Sequence, residues 1–140
     1  MALAGLLAPA STVYAVDFDQ RALARIPDRH NAVEIRKTAA DLRSASLRLP
    51  SVDGVLMANS LHFLEHQATL LKRLLTVADR ILIVEYERSK PSPWVPYPMP
   101  FEKLRVMFSE AGTEQVERVA TRPSLFGGSM YSAFAQRALA

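Results

Sequence analysis

Val52–Tyr86 reads VDGVLMANSLHFLEHQATLLKRLLTVADRILIVEY, and this stretch decides the fold class. Asp53-Gly54 is turn chemistry, and Val55–Ala58 (VLMA) after it is a short apolar run of the kind that forms a buried strand. Leu61, Leu64, Ala68, Leu71, Leu74 and Leu75 then recur at spacings of three and four, the stripe of an amphipathic helix from about Ser60 to Ala78. Arg80–Tyr86 (RILIVEY) has the continuous apolar character of a strand buried on both faces. Two strands joined through a helix of this length pair in parallel through a right-handed crossover.

The same alternation extends in both directions. Thr12–Val16 (TVYAV) is β-branched and aromatic and reads as a strand, and Asp19 can cap a helix over Gln20–Ile26 that Pro27 stops. Val33–Arg36 is a second short strand, and Thr38–Ala45 has helical spacing. Downstream, five of the nine prolines fall within Pro91–Pro100, where they forbid helix and ladder and hold Ser89–Pro100 as a stiff extended loop or lid. Phe101–Ala111 resumes helical spacing and Gly112 fits its C-terminal stop. Gln115–Thr121 and Ser129–Gln136, with Gly127-Gly128 turning between them, form an antiparallel hairpin. The expected architecture is α/β, a three-layer αβα sandwich with a mostly parallel sheet and a C-terminal hairpin.

A chain of 140 residues that is 49% apolar suits one domain spanning residues 1–140. With no cysteine, disulfides, thiolate metal sites and cysteine nucleophiles are excluded. The net charge of +3 is spread without a basic run or interleaved aromatics, which argues against nucleic acid. No apolar stretch reaches the ~20 residues that cross a bilayer, and the opening MALAGLLAPASTVYA has no basic residue before Arg21, so no membrane, no secretory signal and a cytoplasmic location are expected.

Ligands of such sheets sit beyond the carboxyl ends of the strands. An acid in that place, as Asp17 is, can accept from both hydroxyls of a ribose. Phe18 can lie against an adenine face, and Asp41 can accept from an exocyclic amine. The plainer alternative makes Asp17 and Asp19 helix caps. His62-Phe63-Leu64-Glu65-His66 also reads HxxEH, which on one helical face can bind zinc with Glu65 as general base. No third carboxylate ligand can be identified by spacing, so no metal is expected.

VYAVDFDQRALARI, ADLRSASLRLPSVDGVLMANSLHFLEH, RILIVEY, WVPYPMPFEKLRVMFSEAG and MYSAFAQR, in that order, resemble the class I S-adenosylmethionine-dependent methyltransferases over nearly the whole chain. The resemblance implies a Rossmann-like sheet and S-adenosylmethionine as cofactor. It implies that Asp17 binds the cofactor ribose, that Phe18 flanks adenine, and that Asp41 and Leu42 continue the adenosine site. Asn59 to His62 would border the methyl donor and the acceptor. Methyl transfer then needs alignment more than covalent help. His62 can take a proton from the acceptor, Glu85 and Tyr86 can orient or deprotonate it, and Trp94 and Tyr97 can stack on a planar or apolar small-molecule substrate. The structural alternative for Trp94 and Tyr97 is that they roof the core.

One feature of the family has no counterpart in these residues. The family opens with a strand ending in a glycine-rich GxGxG loop, whereas ALAGLLA aligns inside the following helix and offers only Gly5. That strand belongs in the middle of the sheet, between Thr12–Val16 and Val52–Ala58, and its loss leaves two rows of backbone groups without partners. Expected repairs are closure of the flanking strands, strand donation by another chain as in a homodimer, or recruitment of Ala2–Leu7 as a strand; truncation of a longer polypeptide is the fourth explanation. Without the glycine loop, the competing function is that of a non-catalytic binding or dimerisation module.

Overall fold

In the computed structural model, which describes residues 2–138, the chain folds as two units, residues 1–48 and 49–140, and each builds its own sheet. The first unit runs α1 (Ala2–Leu6), β1 (Thr12–Asp17), α2 (Gln20–Ala24), β2 (Arg29–His30) and β3 (Val33–Ala39). Its strand order is β1-β3-β2, with β1 parallel to β3 from Thr12 opposite Glu34 to Asp17 opposite Ala39. Val33, Ile35 and Ala4 form its small core, with Val13, Ala15 and Ile26 packed against it. α2 begins where expected, because the Asp19 carboxylate accepts from the backbone N–H of Arg21 at 2.8 Å.

Two expectations fail in this unit. Ala2–Leu6 is helical, so it is not recruited as a strand. Thr38–Ala45 is not a helix either: Thr38 and Ala39 continue β3 and pair with Val16 and Asp17. Beyond them, Asp41 Oδ1 accepts from the N–H of Arg43 and Ser44 Oγ from that of Ser46. Short polar side chains that capture nearby backbone donors compete with helical bonds, and spacing alone does not reveal that competition.

The second unit runs β4 (Val55–Ala58), a 3-10 turn (Leu61–Phe63), α3 (Gln67–Val77), β5 (Arg80–Tyr86), α4 (Phe101–Glu110), β6 (Gln115–Pro123) and β7 (Ser129–Gln136). Its strand order is β4-β5-β7-β6, with β4 parallel to β5 and the other two pairings antiparallel, as the hairpin requires. Leu70, Leu71, Leu74 and Leu75 of α3 are buried, and α3 packs on β5 and on α4. Along β5 burial alternates: Ile81, Ile83 and Glu85 are fully buried, whereas Leu82, Val84 and Tyr86 are half-buried. The strand is therefore not equally covered on both faces. α4 ends in a Schellman arrangement, with the N–H of Gly112 on Ser109 and that of Thr113 on Phe108, and Gly112 supplies the positive φ of 90°.

The helix expected from about Ser60 to Ala78 is interrupted between Phe63 and Gln67. The cause is tertiary. The carbonyl of His62, which a continuous helix would give to residue 66, accepts instead from the N–H of Tyr97 at 2.9 Å, and the N–H of His62 donates to Glu85.

β1 ends the first sheet and β4 ends the second, and these are the strands between which the resemblance places a further one. Glu34 N–H donates to Ser11, Ala40 N–H to Asp17, and Asn59 N–H to Val84. In a parallel ladder the intervening residues, Thr12, Tyr14 and Val16 on β1 and Leu56 and Ala58 on β4, then turn their N–H and C=O groups away from the paired neighbour.

Candidate functional site

Because β4 and β5 are parallel, Ala58 and Val84 stand side by side, and the residues after them leave the same end of the sheet. Asn59 follows β4 with a left-handed φ of 52°, its N–H on the carbonyl of Val84 and its side-chain Oδ1 buried without a hydrogen-bond partner. Asparagine tolerates that backbone better than most residues. The 3-10 turn then carries His62 back over β5. Its Nδ1 lies 2.8 Å from Glu85 Oε2, and its backbone N–H donates to Glu85 Oε1 at 3.1 Å. His62 is 2% exposed and Glu85 1%. Tyr86 N–H adds a third donor to the carboxylate at 3.3 Å. The imidazole packs against Phe63, with centroids 4.2 Å apart, and against Tyr86 at 5.6 Å. Three residues selected in the sequence as catalytic, His62, Glu85 and Tyr86, therefore form one contact cluster. Among the described residues His62 Nε2 has no hydrogen-bond partner.

Trp94 and Tyr97 do not roof the core. That role falls to Val95 and Met99, which are buried, while Trp94 is 83% exposed and Tyr97 faces solvent in part. Tyr97 adjoins the cluster through its backbone bond to His62; among the described residues no hydrogen bond or ring contact joins Trp94 to His62 or Glu85. Nor is the segment simply extended, because Ser92 and Val95 exchange backbone hydrogen bonds in a tight turn.

In the first unit, Asp17 ends β1 and the parallel register puts it opposite Ala39, two residues before Asp41. Asp17, Phe18, Asp41 and Leu42 thus share the carboxyl end of one sheet. Asp17 Oδ1 accepts from the N–H of Asp19, and Asp19, not Asp17, caps α2. Phe18 is 76% exposed. Asp41 takes the Arg43 guanidinium through both carboxylate oxygens, and those hydrogen bonds hold its pKa below the ordinary value. A ligand amine at Asp41 must share or displace Arg43. The shallow depressions lined by Ala2, Leu3 and Val13, and by Gln115 and Phe134, include none of the selected residues.

The zinc alternative loses its premise. His62 sits in the 3-10 turn and His66 at the cap of α3, so the two do not share a helical face, and His62 Nδ1 is spent on Glu85. Among the described residues no group of three or more His, Asp or Glu side chains could hold a metal, and no helix is long and apolar enough to cross a membrane.

Gln67 and Tyr131 escaped the sequence reading. Gln67 is a polar residue on the buried Leu70/Leu71/Leu74 stripe of α3, and that break in the pattern was the available signal. Tyr131 gave none: it lies in β7 opposite Glu85, fully buried, and its hydroxyl donates to the carbonyl of Met99.

A family model described as Methyltransferase domain matches residues 2–81. No curated protein matches the chain. Among solved structures, a SAM-dependent methyltransferase from Aquifex aeolicus is 19% identical, with 98% of this chain and 74% of that chain covered at a TM-score of 0.64. A SAM-dependent methyltransferase from Thermotoga maritima, described as a possible histamine N-methyltransferase, is 16% identical, with coverages of 98% and 86% and a TM-score of 0.66. Burkholderia thailandensis 1,6-didemethyltoxoflavin-N1-methyltransferase, crystallised with 1,6-didemethyltoxoflavin and S-adenosylhomocysteine, is 21% identical, with coverages of 91% and 61% and a TM-score of 0.65. At these identities the likeness is one of fold.

Burial, followed by the charges of Glu85 and Glu87, raises the pKa of Tyr131 far above its ordinary value. A raised folded value means that its contribution to stability is intact below about pH 10, where the unfolded phenol titrates, and is lost as pH rises beyond that. In an alkaline titration followed by phenolate absorbance, Tyr131 should ionise only as the circular dichroism signal collapses, and Tyr131→Phe should remove that late step. Reversible ionisation of Tyr131 near pH 10 in the folded protein would show that its burial is not maintained.

Proposed function

Since the chain belongs to the methyltransferase domain family, we propose that it transfers the methyl group of S-adenosylmethionine to a small-molecule acceptor whose proton passes to His62. The observation that carries this proposal is the buried His62–Glu85 pair. It sets a carboxylate on one nitrogen of a buried imidazole and leaves the other nitrogen unbonded, an arrangement suited to accepting a proton. That is the argument against a purely non-catalytic module.

The residues present fit the cofactor. Asp17 Oδ2 has no hydrogen-bond partner among the described residues and can accept from the ribose, with Phe18 exposed beside it and Asp41 and Leu42 at the same sheet end for the adenine. The buried, partnerless Oδ1 of Asn59 can accept from an ammonium or hydroxyl donor of the ligand. When bound, S-adenosylmethionine supplies an electrophilic methyl on a sulfonium, a good leaving group. The protein's share is then positioning and proton removal. A carboxylate accepts only, so Glu85 holds the proton of the imidazole on Nδ1 and leaves the Nε2 lone pair free. The acceptor's heteroatom keeps its electron pair for the new bond to carbon, its proton moves to Nε2, and Glu85 stabilises the imidazolium that forms. Half-buried Tyr86 and the partly exposed Phe63 and Tyr97 offer ring surface to a planar acceptor.

Calorimetric titration with S-adenosylhomocysteine should give saturable heat that Asp17→Ala weakens at least several-fold and His62→Gln leaves within about twofold. With labelled S-adenosylmethionine and a panel of planar hydroxyl and ring N–H compounds, His62→Gln should lower kcat/KM by roughly 10²–10⁴. No heat at millimolar ligand in the wild type would favour the non-catalytic module.

We also propose that a second copy pairs with β1. Its free groups at Thr12, Tyr14 and Val16 allow an antiparallel two-fold pairing centred on Tyr14, and the strand has none of the lysine, proline or bulge devices that protect edges. Light scattering should report a dimer at micromolar concentration that Tyr14→Pro converts to monomer, because the lost N–H faces the open edge and not β3. A wild-type monomer at that concentration refutes it.

A further inference from the structure

The proline-rich segment between β5 and α4 is fastened unevenly. Its first part closes on itself, with Ser92 and Val95 exchanging backbone bonds at 3.1 Å and Ser92 Oγ accepting a further one from Val95. In its second part three consecutive carbonyl oxygens are each taken by a side chain of a different element. Tyr97 accepts from Gln67 Nε2 of α3 at 2.8 Å, Pro98 from Lys103 Nζ of α4 at 3.1 Å, and Met99 from the Tyr131 hydroxyl of β7. This second part is thereby tied to three elements and forms a wall.

Gln67 does more than hold that wall. Its Nε2 also donates to the carbonyl of Leu61 at 3.1 Å, and its Oε1 accepts from Lys103 at 3.4 Å. It is 2% exposed and uses both halves of its amide. The peptide units on either side of His62 are thereby bound: Leu61 C=O to Gln67, His62 N–H to Glu85, and His62 C=O to the N–H of Tyr97, whose own carbonyl returns to Gln67. The cycle is closed through one amide.

We propose that Gln67 is a positioning residue that fixes the backbone of His62, and through it the direction of Nε2, by joining the turn that carries the imidazole to the Tyr97 wall. The catalytic consequence rests on the proton-acceptor role given to His62 above; the structural one does not. Without the two donated bonds, the Tyr97 carbonyl loses its side-chain partner and the Leu61 carbonyl keeps only the N–H of Leu64, so the turn gains freedom about the Glu85 contact.

The test is Gln67→Met in the full chain, which keeps length and volume and removes both donors, followed by nitrogen-15 NMR. In the wild type the His62 ring should show a single Nδ1-protonated tautomer, and the amides of His62 and Tyr97 should exchange slowly. In Gln67→Met both amides should exchange at least tenfold faster, and the two ring-nitrogen shifts should move toward each other as the tautomers mix. The heat of S-adenosylhomocysteine binding should stay within twofold. Unchanged exchange together with an unchanged tautomer overturns the proposal. If Gln67→Met does not fold, the same measurements on Gln67→Glu decide, since it keeps the acceptor for Lys103 and loses the donors. No acceptor is needed for these readouts, so a chain that transfers no methyl group leaves the test intact. Where transfer is measurable, kcat should fall in Gln67→Met while KM holds; equal loss in both would mark a general loosening and count against the role.

Discussion

A carboxylate removed from water must find its compensation inside the protein, and Glu85 finds it in three N–H groups, the ring and backbone of His62 and the backbone of Tyr86. The local structure between β4 and α3 follows from that demand. The turn after β4 folds back over β5 because its donors are needed there. The leucine-rich helix begins at Gln67, late, because the backbone of His62 is already committed to Glu85 and Tyr97. Taking either partner away strands a buried polar group, which costs more than the pair itself contributes.

The first unit solves a different problem with the same geometry. Parallel pairing of β1 with β3 sends both chain exits to one end of the sheet, so Asp17 and Asp41, far apart in sequence, become neighbours of one another's strands. Neither acid is buried as Glu85 is. Asp17 steadies the backbone before α2 with one oxygen, and Asp41 is paired with Arg43, so both are preformed by short-range bonds that a ligand can share.

Much of this was legible in the residues. Arg80–Tyr86 and Ser129–Gln136 lie where the apolar pattern placed them, because strands paired on both sides have little freedom at their ends. Asp19 caps α2 because a side chain two residues from its target needs no tertiary help. The errors share a cause. Thr38–Ala45 has helical spacing but pairs with β1 and then yields to Asx-type turns, and Ser60–Ala78 has a helical stripe but loses its first turn to Glu85. In both places hydrogen-bond competition outweighed periodicity.

Family, fold class, most of the strands and a set of candidate residues were legible in the sequence alone, since periodicity and residue type act over a few neighbours and survive without coordinates; the short strand Arg29–His30 and the last residues of β3 were not. Which of those residues meet was decided by the tertiary structure. Nothing in the spacing of His62, Gln67, Glu85, Tyr97 and Tyr131 announces that they converge, because they belong to separate elements that only packing brings within hydrogen-bond reach, and because the value of a polar group changes once water is excluded from it.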